Sequence, residues 1–69
     1  VRRFELHRDV DASGISGTGV VAQGVQFSTG DCVLGWLTAV RSVAVYRCTE
    51  DVIAIHGHGG ATRLVWVDP

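Results

Sequence analysis

Two stretches, residues 32–37 (CVLGWL) and 62–68 (TRLVWVD), read as strands that are apolar on both sides. In the first, Cys32, Leu34 and Trp36 share one face, and Val33 and Leu37 share the other. In the second, Leu64 and Trp66 oppose Val65 and Val67. Strands of this kind are usually buried on both faces. The chain offers them little cover, because only the segment ending at His56 has helical spacing. One helix of about two turns cannot shield both faces of a sheet. The pattern predicts that part of the sheet is buried by a protein partner or by a second copy of the chain. Trp36, Val65, Val67, Val33 and Leu37 are the candidate contact residues.

The remaining elements follow from the same periodicities. Residues 3–7 alternate polar and apolar, with Phe4 and Leu6 facing inward. Residues 9–19 (DVDASGISGTG) form a loop of small, turn-forming residues. Residues 20–27 form a second strand whose alternation breaks, so a bulge is expected near Gly24. Residues 28–31 (STGD) make a tight hairpin turn with Gly30 at positive φ. The third strand covers residues 32–37 and the fourth residues 42–47, with Val43 and Val45 aligned. Thr49 is expected to cap a short helix, with Glu50 and Asp51 in its first turn. Val52, Ile55 and His56 form its apolar face, Ile53 widens that face, and Gly57 is the left-handed cap. The predicted fold is α+β: a small, mostly antiparallel sheet of four to five strands with one short helix, in the order β-β-β-β-α-β. The helical crossover leaves room for one parallel pair.

Size and charge narrow the function. A chain of 69 residues is one domain, residues 1–69, burying roughly 60% of its unfolded surface. A small-molecule pocket of ~300 Å3 would take up much of such a core, which argues against a monomeric enzyme. The net charge is −1, with no lysine, whereas binding driven by phosphate contacts calls for a basic protein. Nucleic acid is therefore not the expected partner; stacking of single strands on the aromatics beside Arg3, Arg41, Arg47 and Arg63 is the weaker form of that idea. No apolar run reaches membrane-spanning length and no signal peptide is visible, so a cytoplasmic protein is expected. In that compartment Cys32 and Cys48 read as reduced, half-buried thiols, although a bridge would contribute ~3 kcal/mol under oxidising conditions.

The stretch His56-Gly57-His58-Gly59-Gly60 is the strongest candidate for chemistry. Its two imidazoles would point the same way on extended backbone and could hold a metal or anion. Because His56 also continues the apolar stripe of the helix, a glycine stop followed by a turn explains the same residues. Asp9, Asp11, Ser13 and Gly14 match four positions of a calcium loop, but Val20 stands where the bidentate glutamate belongs and no helix precedes it. Residues 17–22 (GTGVVA) imitate a dinucleotide fingerprint, yet open a strand instead of a helix. No local pairing of a cysteine with a histidine supports a nucleophilic site, and no catalytic residue or cofactor is assigned.

The segments SGTGVVAQGVQFSTG and IHGHGGATRLVWVD resemble a family of very short prokaryotic and phage proteins sharing the patterns GTGxVAxGVxF and IHGHGGxTRxVWxD. The resemblance runs from about Phe4 to Asp68. It departs at Gly35, where an arginine commonly precedes the tryptophan, so a cation at that spot is not expected here. The resemblance implies no activity; it implies an accessory or phage-borne protein, and by analogy one that works by occupying a site on a larger protein. Two expectations result. One is a non-catalytic interaction module that binds a host or phage protein or self-associates as a homo-oligomer. The alternative is a metal- or anion-binding protein, or an enzyme, built on His56, His58, Asp9 and Asp11.

Overall fold

A computed structural model describes residues 1–9 and 18–68, with His58 described by its backbone alone. The elements are β1 (Arg2–Arg8), β2 (Gly19–Gln26), β3 (Cys32–Trp36), β4 (Val43–Tyr46), α1 (Thr49–His56), a 3-10 turn (His58–Gly60) and β5 (Thr62–Trp66). The strands form one sheet in the order β4-β3-β2-β1-β5. Every pairing is antiparallel, so the expected α+β sheet carries no parallel pair. The helix does make a crossover, but it carries the chain from one sheet edge to the other. β5 lands beside β1, not beside β4.

Alternation in β1 sets the two faces. Phe4, Leu6 and Arg8 are buried on the face the helix covers, while Arg3, Glu5 and His7 point to the opposite side. Cross-strand register extends the covered face through Ala22, Gly24, Leu34, Trp36, Cys32 and Tyr46, and through Leu64 and Trp66 on β5. Phe4, Leu6, Val21, Ala22, Cys32, Leu34 and Val52 form the core, with Trp36, Tyr46, Leu64 and Trp66 packed around it. Burying a leucine or phenylalanine contributes roughly 1.5–3 kcal/mol, so this one layer dominates the stability of the fold.

The expected bulge is present in β2, but at Val21 instead of near Gly24. Leu6 pairs with Ala22 and His7 with Val20, so Val21 is the extra residue. Val21 and Ala22 are both buried, and Val20 joins Val25 on the other face. Gly24 has a different task. The Phe4 ring lies over it, and a Cβ there would come within 2.3 Å of Cζ. At the following turn, Gly30 N–H donates to Phe27 O at 2.9 Å and Gly30 takes φ +97°, as a three-residue hairpin requires.

The helix also departs from expectation at both ends. Cys48 is the N-cap and Thr49 the first helical residue, with no side-chain cap bond. Gly57 is right-handed, with φ −71°; what requires glycine there is crowding, because a Cβ would lie 2.5 Å from Ile53 O. The left-handed residues come later, at Gly59 and Gly60. Val52 is fully buried and His56 partly so, whereas Ile55 is exposed. A helix this short meets the sheet along one i, i+4 line, and Ile55 falls outside it.

Candidate functional site

The helix covers one side of the sheet, and none of the described residues covers the other. That open face is divided. On β2, β3 and β4, Val25 pairs with Val33 and Val33 with Val45, and Val43 lies opposite Gly35. These are all outward positions of three neighbouring strands, so the valines form one continuous patch. Val43 is 72% exposed and Val45 73%. Gly35 adds no side chain, which leaves Val43 standing clear of the sheet. A polar strip follows on β1, with Arg3, Glu5 and His7 beside Gln23. His7 Nε2 lies 2.9 Å from Glu5 Oε1.

The five candidate contact residues do not share one surface. Val33 lies within the valine patch. Leu37 follows β3, half exposed, with its N–H donating to Val21 O. Val65 and Val67 lie across the polar strip at the β5 edge, Val65 opposite Glu5 and Val67 donating its N–H to Arg3 O. Trp36 is on the covered face, its ring edge-to-face with His56 at 4.8 Å. Val25, Val43 and Val45 were missed as outward-facing residues. The alternation of Val43 with Tyr46 held the signal, once Tyr46 is paired with the inward Cys32.

The HGHGG segment is built into the end of the covered layer. His56 Nε2 and Tyr46 Oη lie 2.6 Å apart in a hydrogen bond whose donor is set by the histidine tautomer. Burial pushes the Tyr46 hydroxyl above its ordinary pKa, keeping its proton in place. Gly57 O accepts from both Gly60 N–H and Thr62 N–H, which ties the turn to β5. Asp9 lies at the end of β1, and Arg63 grips both its oxygens at 3.1 and 3.2 Å. That pairing lowers the Asp9 pKa. Asp11, the other acid of the candidate calcium loop, and the His58 side chain lie outside the described residues. Among the described residues, no three His, Cys, Asp or Glu side chains are grouped to hold a metal ion.

The cysteines are unpaired. Cys32 is fully buried, its Sγ donating to Gly30 O at 3.3 Å, and its pKa is raised chiefly by burial. At Cys48 a hydrogen bond with the Asp51 backbone lowers the pKa, but desolvation and the Asp51 and Glu50 carboxylates outweigh it, and the net shift is upward. Neither thiol has the electropositive setting of a nucleophile.

A protein-family model, described as Acb5 phage protein, matches residues 1–68. The chain belongs to the Acb5 phage protein family. The match spans all five strands and the helix of this Acb5 family member. No curated protein and no solved structure matches it. Among its described residues no helix is long and apolar enough to cross a membrane.

Proposed function

We propose that this Acb5 family member is a small non-catalytic protein-interaction module, an accessory phage protein that acts by docking its open sheet face on another protein. The observation that carries this reading is the contiguous patch of Val25, Val33, Val43 and Val45 on a face that no described residue covers. Val43 and Val45 are exposed beside the half-buried Val25 and Val33, and clustered apolar side chains lower solubility unless something covers them. The polar strip of Arg3, Glu5 and His7 beside the patch would set the register of the partner, since charged rim groups contribute specificity more than affinity. The occupant is a host or phage protein, or a second copy of the chain.

The test pairs sedimentation at micromolar concentration with capture from phage-infected cells, for the wild type and for a Val43→Lys/Val45→Lys variant. Both side chains are exposed, so the fold should tolerate the change. The expected result is a dimer, or a stoichiometric companion, that the variant loses while its circular dichroism is unaltered. A wild-type monomer that captures nothing beyond what the variant captures ends the proposal.

A further inference from the structure

The covered face contains a cation that the docking reading does not use. Arg8 is only 3% exposed. It lies where the end of β1 meets Thr62 of β5 and Gly19 of β2. Its Nε donates to Thr62 Oγ1 at 3.0 Å, in a buried bond. Its Nη1 is buried and has no hydrogen-bond partner among the described residues. Asp9, the adjacent acid, is taken by Arg63, and Asp68 by Arg3. An arginine cannot shed its proton, so burial leaves it a full charge. Taking an unpaired charge out of water costs several kcal/mol, which an anion at the free nitrogen would offset.

The surroundings fit an oxyanion. Thr62 is as buried as Arg8. Its Oγ1 accepts from Nε, which leaves its own proton to donate. The adjoining turn is held by Gly57 O, and at Gly59 and Gly60 a Cβ would meet nothing within 4 Å. Backbone without side chains lets a ligand approach closely. We infer that Arg8 and Thr62, beside the Gly57–Gly60 turn, form a binding site for one small oxyanion group, a phosphate or a carboxylate. Arg8 Nη1 and the Thr62 hydroxyl would donate to it, and charge-assisted bonds of this kind are the strong ones.

The test is a thermal melt, with an NMR titration of the Arg8 Nε–Hε signal, in inorganic phosphate, methyl phosphate, acetate or chloride at equal ionic strength. Phosphate or acetate should raise the wild-type midpoint and shift the Arg8 signal. A larger response to the two phosphates identifies a phosphate ligand, and a larger response to acetate a carboxylate. Thr62→Val should weaken binding about tenfold, the loss of one hydrogen bond. Arg8→Met should melt at the same midpoint in all four salts. Equal wild-type midpoints with an unmoved Arg8 signal overturn the inference, and that outcome can be read even if Arg8→Met does not fold.

Discussion

Tyr46 and His56 fasten the helix to the β4 edge: Oη and Nε2 are 2.6 Å apart, and the imidazole stands edge-on to both Tyr46 and Trp36. The helix is only eight residues long, too short to be stable by itself. Val52, fully buried, and this contact help to hold it on the sheet. Tyr46→Phe keeps the ring and removes the hydroxyl. It should cost about 1 kcal/mol, or a fall of ~4–8 °C in melting midpoint. A calorimetric scan at neutral pH checks it, and an unchanged midpoint would mean that the bond contributes nothing.

Phe4 and Gly24 are fitted to one another. Gly24→Ala brings a Cβ within 2.3 Å of the ring, an overpacking that typically costs ~1–3 kcal/mol. The penalty should shrink when Phe4 is first changed to Leu. Urea unfolding of the two single variants and the double variant gives the coupling directly; additive penalties would show that the two positions do not touch in solution.

The assignment of faces makes opposite demands on neighbouring strands. Leu34→Ala, inside the core, should cost ~2–5 kcal/mol. Val45→Thr, on the open face, should stay within ~0.5 kcal/mol of the wild type. Chemical denaturation of both variants checks the assignment, and comparable losses would reverse it.

Arg3 holds Asp68 through its guanidinium at 2.8 and 3.0 Å and through its backbone N–H at 2.9 Å. These bonds, the side-chain one foremost, lower the Asp68 pKa from 3.8 to about 2. The sign follows from linkage: the unfolded chain takes up the proton first as pH falls. The contribution is therefore complete above the unfolded value of 3.8 and is lost as pH drops through about 2. Carboxyl NMR should show Asp68 still ionised at a pH where free aspartate is protonated. In Arg3→Gln the midpoint should rise toward 3.8 and stop short of it, because the backbone N–H still donates.

Much of this architecture was legible in the sequence. Period-2 alternation gave the two faces of β1, β3 and β5, and the change of period marked the helix. The misplacements were local. A bulge can be inferred from broken alternation, but which residue is extra depends on the partner strand, and only Leu6 against Ala22 decides it. Gly57 read as a left-handed cap because sequence does not distinguish a positive φ from a crowded Cβ. At the candidate surface, the two-sided strands place apolar side chains on the face opposite the helix, as Val33 and Val45 show. The fold divides the five candidates: strand order separates Val33 from Val65, and alternation within β3 puts Trp36 on the covered face. Arg8 went unnoticed because the first strand was ended at His7; one further step of the Phe4–Leu6 alternation places it inside.

The position of β5 has a consequence for how the molecule comes into being. β1 precedes the other four strands in the chain, yet one of its two flanks stays bare until Leu64 arrives opposite Leu6 and Trp66 opposite Phe4. Hairpins β1–β2, β2–β3 and β3–β4 join neighbours in the chain, whereas the layer that buries Phe4 and Trp66 closes only once β5 is added. Joining such distant segments is slow, on the order of milliseconds to seconds for sheet-dominated domains. During that interval the nascent valine-rich strands are at their most vulnerable to pairing with a neighbouring chain.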